Sequence, residues 1–396
     1  MSGPAIERGT LVIRDGKIVF EEIRRGDIRT GGFDINGGWV PLYTWHKVHA
    51  GLIDAVRLGD VAEAMPVMLA MAGYLGTILE GLDDTQMQKL LAAEHGGLND
   101  SYAETYALTG NPRWRRLAER IYHRKVLTPL AVQKDELPGL HANTQIPKLI
   151  GLARLYELTG EARHADAARF FHRTVAAHHS YVIGGNSERE HFGPPDLIST
   201  RITERTCEAC NSYNMLKLTK HLYGWQPDAA LFDYYERIHL NHLLAHQHPE
   251  TGMFVYFMPL SAGARRTYST PEDSFWCCVG SGMETHARHG ESIFWHDDAA
   301  LFVNLFIPSA AEWRERGLKV ELDTAYPFDE KVVLRVTKAP RAGTAIALRL
   351  PGWCDAPSLT LNGKPAARNG DMVMTCNDPS DLPVGTVIAV GTVLIG

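Results

Sequence analysis

Two pentapeptides, Tyr106-Ala-Leu-Thr-Gly110 and Tyr156-Glu-Leu-Thr-Gly160, stand 50 residues apart in a chain of 396. Amphipathic stretches follow them, NPRWRRLAERIYH after the first and EARHADAARFFHR after the second. A self-repeat at a fixed period constrains the fold strongly, because each unit must bury its apolar face on the next. Each copy reads as a helix, a glycine C-cap in the left-handed conformation, and a second amphipathic helix. Looser copies surround Gly59 and Gly224, so the steps are 51, 50 and 64 residues, the last one lengthened by the Gly/Pro-rich insertion GGNSEREHFGPPD (184–196). Helical hairpins of this length exceed the tetratricopeptide and ankyrin periods. They fit an α/α toroid, with inner helices ringing a central funnel and outer helices wrapping them. An α-solenoid is the competing architecture. The toroid is preferred because polar residues recur at the start of every inner helix.

From about Ser292 the period changes. SIFW, ALFVNLFIP, LKVELDTAYP, KVVLRVT, AIALRLPGW and SLTLNGKPA read as short strands, with Asn362-Gly363 as a hairpin turn. The expected fold class is mainly α. Residues 1–30 form an N-terminal segment with a β-hairpin at 10–22 turning at Asp15-Gly16, residues 31–291 an (α/α)6-type toroid, and residues 292–396 a β-sandwich. About four and a half helical hairpins can be counted where a closed toroid has six, so the toroid is expected to be incomplete at its N-terminal side and the sandwich at its C-terminal end.

Composition excludes several classes of function. With 40 Lys+Arg against 46 Asp+Glu, a net charge of −6 and no basic run, the chain has no electrostatic footprint for nucleic acid. The longest uncharged stretch, Ala64 to Leu79, has 16 residues and is too short for a membrane span. The N-terminus, MSGPAIERGTLVIRDG, lacks a charged-then-apolar signal pattern, so a cytoplasmic location is expected. Six cysteines are too few for a disulfide scaffold at this length, and paired cysteines point instead to metal or catalysis. The 18 His, 14 Tyr and 8 Trp residues suit a pocket for a polar ligand.

Counting back from the repeat glycines locates that pocket. His46 precedes Gly59 by 13 residues, His95 precedes Gly110 by 15, and His141 precedes Gly160 by 19. Cys210 precedes Gly224 by 14 and Cys277 precedes Gly290 by 13. Five inner helices thus begin with a metal-capable or hydrogen-bonding side chain at one mouth of the funnel. Glu208-x-Cys210 and Cys277-Cys278 together supply a carboxylate and thiolates of the kind zinc takes in tetrahedral sites. Cys207-x-x-Cys210 is an alternative ligand pair, and buried free cysteines are the plain alternative to any metal. The Cys277-Cys278 pair sits at a loop-to-helix junction, where backbone N–H groups and the helix dipole favour thiolate. Glu188 and Glu190 lie in the insertion just ahead of Glu208. A carboxylate opposite a thiolate provides the proton donor and nucleophile that sugar hydrolysis needs, although SEREH alone reads equally well as a solvated loop.

EACNSYNMLKLTKHLYG, GGNSEREHFGPPD, HPETGMFVYFMPL, FWCCVGSGMETHARHGESIF and GLHANTQIPKLIGLARLYELTG resemble the bacterial β-L-arabinofuranosidase superfamily of glycoside hydrolase families 127 and 146. The resemblance covers about residues 30–380, and the Cys-Cys and Glu-x-Cys motifs are specific to it. It implies an (α/α)6 barrel followed by β-sandwich domains, a zinc ion held by one Glu and three Cys, and a cysteine nucleophile. Glu208, Cys210, Cys277 and Cys278 match the zinc ligands, Cys277 the nucleophile and Glu190 the acid/base. Glu236, Tyr256, His46, His95 and His141 match substrate-contacting positions. Cys207 departs from the pattern.

The reading is a zinc-dependent retaining glycosidase for a furanoside, above all a β-L-arabinofuranoside. Its expected partner is an arabinofuranoside-containing oligosaccharide, with no nucleic acid and no membrane, and with homo-oligomerisation open. The rivals are a catalytically inactive, zinc-stabilised carbohydrate-binding protein and an α/α-barrel sugar isomerase or epimerase. Isomerases need no nucleophilic cysteine, so Cys277-Cys278 argues against the last.

Overall fold

A computed structural model describes residues 19–341, 343–366, 372–375 and 385–391. Two compact units divide the chain: residues 1–222 with 257–267, and residues 223–256 with 268–396.

The first unit is helical, with α1 Val19–Arg24, α2 Pro41–Arg57, α3 Ala64–Glu80, α4 Asp84–Leu91, α5 Leu98–Thr109, α6 Pro112–Arg120, α7 Arg124–Ala131, α8 Ala142–Thr159, α9 Ala162–Thr174 and most of α10 Ala209–Trp225. Helix α5 packs between α2 and α8, while α2, α5 and α8 pack on α3, α6 and α9 respectively. This is the inner and outer layering of an α/α toroid. The inner helix α8 is buried almost all round, from Ala142 through Ala153. The outer helix α6 buries Trp114, Leu117 and Ala118 on one face and leaves Arg116 exposed on the other. That contrast is the one expected between a central helix and a one-sided amphipathic one. The α5–α8 seam is tight at Gly151, where an added Cβ would lie 2.3 Å from Asn99 Cγ.

The glycine caps expected from the repeat hold at its two best copies. Gly110 ends α5 at φ 67° and Gly160 ends α8 at φ 72°. The looser copies differ. Leu58 ends α2 and the left-handed residue after it is Asp60 (φ 52°), Gly224 lies inside α10, and Gly290 falls beyond the end of a helix that stops at Ala287. The expected 10–22 hairpin is helical where it is described, since Val19–Arg24 forms α1. Residues 1–18 lie outside the described residues. Val19, Phe20 and Ile23 are buried on one face, so their spacing follows a helical turn and not a strand. A small meander, β1 Thr30–Gly31, β2 Asp34–Ile35 and β3 Gly38–Trp39, leads into α2.

The second unit contains α11 Ala229–Ile238, α12 Cys277–Ala287 and then strands β4 Phe294–His296, β5 Ala300–Val303, β6 Ser309–Trp313, β7 Leu318–Thr324, β8 Lys331–Lys338, β9 Ala345–Arg349, β10 Ser358–Leu361, β11 Lys364–Pro365, β12 Met372–Thr375 and β13 Val387–Gly391. They form a six-stranded sheet in the order β11-β10-β13-β8-β7-β6 and a four-stranded sheet in the order β12-β9-β5-β4. Two sheets are what a sandwich requires. The Asn362-Gly363 turn joins β10 to β11, with both residues at positive φ (50° and 75°), as a two-residue hairpin loop demands. Strands β5 and β9 are buried along their whole length and pair in parallel, whereas β7 alternates buried and open positions. No described helix is long and apolar enough to cross a membrane.

Candidate active site

In the first unit the expected histidines gather at the starts of the inner helices. His141 is the N-cap of α8: its Nδ1 accepts from the Thr144 backbone N–H at 3.3 Å and lies 3.0 Å from Thr144 Oγ1. An N–H can only donate, so Nδ1 is the acceptor and the neutral ring carries its hydrogen on Nε2. That Nε2 lies 3.5 Å from Glu190 Oε2. His95 sits in the turn before α5, with Nδ1 donating to the Ala93 carbonyl at 3.0 Å, which leaves its Nε2 as an acceptor. The two rings therefore present opposite hydrogen-bonding characters at Nε2, His141 a donor and His95 an acceptor.

His46 lies in the second turn of α2 and not at its start, yet it reaches the same place. Its ring rests on the Gly96-Gly97 turn, where a Cβ on Gly96 would lie 2.6 Å from His46 Nδ1. Burial, and then Lys47, holds His46 well below the usual imidazole range, and burial followed by Lys148 does the same for His95. Both rings are thus neutral hydrogen-bonding groups at physiological pH.

Glu190 is fixed by a strained loop. Its φ is 70° and that of Arg189 is 47°, left-handed values that cost a non-glycine residue about 1–2 kcal/mol. The Ala142 N–H holds the Glu190 carbonyl at 2.7 Å, and the Arg189 N–H donates to the Arg205 carbonyl at 2.9 Å. The half-buried Glu190 carboxylate, His141 and the buried Glu208 bring one ligand-type atom each to within 4.8 Å of one another. Glu188 points elsewhere: its carboxylate takes the Thr203 hydroxyl at 3.2 Å and Arg189 Nε at 3.0 Å. Glu208 precedes α10 directly and Cys210 is the second residue of that helix. Cys207 is fully buried with φ 59°, and burial pushes its thiol pKa upward.

In the second unit Cys277 is the first residue of α12 and Cys278 the next, so both meet the N–H groups of the helix start. Cys277 Sγ lies 3.8 Å from Tyr256 Oη and 4.0 Å from Cys278 Sγ. Glu236 is placed in a different setting. Its Oε1 accepts from Tyr326 Oη at 3.2 Å and Trp353 Nε1 at 3.1 Å, and its Oε2 accepts from the Arg349 guanidinium. Its carboxylate is already committed to anchoring α11 on the strands.

Glu208 and Cys210 in the first unit, and Cys277 and Cys278 in the second, are carboxylate and thiol groups of the kind that bind metal ions, with Glu208, Cys210 and Cys278 buried and Cys277 half-buried. Buried thiol–carboxylate sets suit a thiophilic divalent ion.

Four polar residues in the first unit, Glu94, His123, Gln145 and Lys148, escaped the sequence reading. Lys148 is 1% exposed and donates to Gln145 Oε1 at 2.8 Å and to His123 Nδ1 at 3.0 Å. Burial brings the Lys148 ammonium down to about 7, and burial followed by Lys148 brings the His123 imidazolium down to about 3. Glu94 accepts from Thr144 Oγ1 at 3.2 Å. The available signals were Glu94 beside His95 and the i, i+3 placement of Gln145 and Lys148 on α8.

The catalytic domain of the GH127 β-L-arabinofuranosidases matches residues 17–291, and the GH127 middle domain matches residues 300–374. No curated protein matches the chain in sequence. Among solved structures, one described as a glycoside hydrolase aligns with TM-score 0.73 and 18% identity, over 89% of this chain and 64% of its own. This chain thus spans less than two thirds of that protein's length. A GH127 β-arabinofuranosidase aligns at TM-score 0.66 and 15% identity over 94% of this chain and 74% of its own. A GH127 β-L-arabinofuranosidase from Geobacillus stearothermophilus T6 aligns at TM-score 0.62 and 16% identity, covering 96% and 76%. At these identities the structural likeness speaks for the fold, while the catalytic-domain match covers well over half of the chain. The chain belongs to the GH127 β-L-arabinofuranosidase family.

Proposed function

We propose that the chain is a retaining glycoside hydrolase that releases L-arabinofuranose, or a closely related furanose, from an oligosaccharide. The observation that carries this reading is Glu190, held in a left-handed backbone with its carboxylate 3.5 Å from the Nε2 of a histidine whose tautomer a helix cap fixes. Strain of this kind is retained where chemistry needs a group in one place. Family membership and the helix-start cysteine pair support the same reading.

In the proposed mechanism the Cys277 thiolate attacks the anomeric carbon. The C–S bond forms as the bond to the leaving oxygen breaks, and Glu190 gives its proton to that oxygen. Glu190, now a carboxylate, then takes a proton from water, whose oxygen displaces the thiolate. Two inversions give net retention. His141 Nε2–H orients the Glu190 carboxylate, and the Tyr256 hydroxyl orients the sulfur. His46, His95 and His141 bind sugar hydroxyls. Glu236, whose carboxylate already accepts from Tyr326, Trp353 and Arg349, keeps one acceptor site for a sugar hydroxyl in this proposal. From the family resemblance, Glu208, Cys210, Cys277 and Cys278 are the proposed ligands of one zinc ion, which would keep the Cys277 thiolate ionised and oriented.

The test is hydrolysis of an aryl β-L-arabinofuranoside followed by NMR of the first-formed product. Turnover with retained configuration supports the proposal, and an inverted product excludes the cysteine route. A zinc-loaded chain that binds arabinofuranosides without turning any over would instead support the carbohydrate-binding reading.

A further inference from the structure

We propose that His179 is a positioning residue for the acid/base loop, a two-ended clamp joining Gly193 to Asp135; this rests on the reading of Glu190 above. His179 closes the π-helical turn Val175–His179 that follows α9, and it is 2% exposed. Its Nδ1 lies 3.1 Å from the Gly193 carbonyl oxygen and its Nε2 lies 2.9 Å from Asp135 Oδ2. The other Asp135 oxygen accepts from the Leu137 N–H at 3.0 Å, which orients the carboxylate toward the ring. A carbonyl and a carboxylate only accept, so both contacts are hydrogen bonds when each ring nitrogen carries a hydrogen. π-Helical turns within helices are frequent at functional sites, and this one delivers a single side chain to two segments.

Those two segments are the ones that hold Glu190. The Gly139 N–H donates to the Phe192 carbonyl at 2.8 Å and the Phe192 N–H donates to the Leu140 carbonyl at 3.0 Å. The Phe192 ring is buried and meets the His179 ring edge-on at 5.4 Å. Asp135, His179, Gly193, Phe192 and Leu140 therefore close a ring of contacts, and Glu190 enters it two residues before Phe192. On its other side Glu190 is tied to α8 through the Ala142 N–H. A left-handed glutamate relaxes toward ordinary backbone unless it is pinned on both sides. His179 supplies the second pin without touching the reacting atoms.

Two variants separate the halves of the clamp. In His179→Asn the amide nitrogen falls near the Nδ1 position and keeps a donor for Gly193. In His179→Gln it falls near Nε2 and serves Asp135 alone. The assay compares kcat/KM on a sugar–sugar linkage with kcat/KM on a nitrophenyl furanoside, because a good leaving group departs without protonation. His179→Gln is expected to lose about 10- to 100-fold on the sugar–sugar linkage, the scale of a 1 Å misplacement. On the nitrophenyl substrate it should lose less than about threefold, and His179→Asn should recover most of the loss. A merely structural role lowers both substrates alike. Equal losses on both, or no loss in His179→Gln, or no recovery in His179→Asn, overturns the proposal. Should His179→Gln fail to fold, His179→Leu, which offers Gly193 no donor, takes its place in the same comparison with His179→Asn. Glu190→Gln is measured alongside. If it shows no leaving-group dependence, the reading of Glu190 fails and the clamp with it. If it does and His179→Gln does not, the clamp alone is wrong.

Discussion

Gly151→Ala is expected to destabilise the first unit through one contact, and that contact can be removed. The new Cβ would lie 2.3 Å from both Cγ and Nδ2 of Asn99 and 2.4 Å from its Oδ1, more than 1 Å inside ordinary contact. Asn99 cannot swing clear at no cost, since it is 1% exposed and its Nδ2 donates to the Lys148 carbonyl at 2.9 Å. Overpacking of a close-packed seam costs about 1–3 kcal/mol, and the lost hydrogen bond about 1 kcal/mol. Helix propensity returns about 0.5–1 kcal/mol for Gly→Ala. The net loss is about 1–3 kcal/mol. Urea unfolding followed by circular dichroism measures it, and the decisive arm is the Asn99→Ala background. There the obstruction is gone, and Gly151→Ala should cost nothing or stabilise by up to about 1 kcal/mol. The same penalty in both backgrounds, or none in the wild type, would refute the claim that Asn99 sets the spacing of α5 and α8.

Three further outcomes follow from the site and its surroundings. Cys210→Ser or Cys278→Ser should abolish stoichiometric zinc and lower stability, because structural metal binding is coupled to folding; full zinc in Cys210→Ser would move that ligand role to Cys207. Burial holds His49, His172 and His239 at about 4, so between there and 6.5 the unfolded chain binds more protons. Stability is then complete above about pH 6.5 and falls toward pH 4, by up to about 1.4 kcal/mol per pH unit for each such group, and a flat urea midpoint from pH 7 to 4.5 would contradict this. Glu190→Gln should cost about 10²–10⁴-fold on a sugar–sugar linkage and far less on a nitrophenyl glycoside, with partial rescue by azide. Glu188→Gln should leave that leaving-group ratio unchanged, since its carboxylate is paired with Arg189 and Thr203, and the reverse pattern would exchange their roles.

The helical period was legible because Gly110 and Gly160 obey a local rule, the left-handed cap after a helix. Gly59 and Gly224 were misread because the same residue can continue a helix or leave the left-handed position to its neighbour, as Asp60 does. Counting back from the caps still found His95, His141, Cys210 and Cys277 at helix starts. Periodicity fixes which end of a helix a residue occupies, and His46 missed by a turn because α2 begins at Pro41. Most strands after Ser292 were visible as short apolar or alternating runs between turns, while β6, whose SAAEW carries few β-formers, and β12 and β13 were not named. The surroundings of Glu236 were not legible in the sequence. Its partners Tyr326, Arg349 and Trp353 lie about 90 to 117 residues away in sequence, and no local pattern reports such a pairing. The His179 clamp was invisible for the same reason.

Cys277 is the proposed nucleophile, and its attack on the anomeric carbon can be trapped. Incubating the full chain with a cyclitol-type electrophile shaped as a β-L-arabinofuranoside, followed by peptide mass spectrometry, identifies the attacking atom directly. A single adduct on Cys277, absent from Cys277→Ser, is the predicted result. An adduct on Cys354, Cys376 or a carboxylate, with Cys277 unmodified, would contradict it.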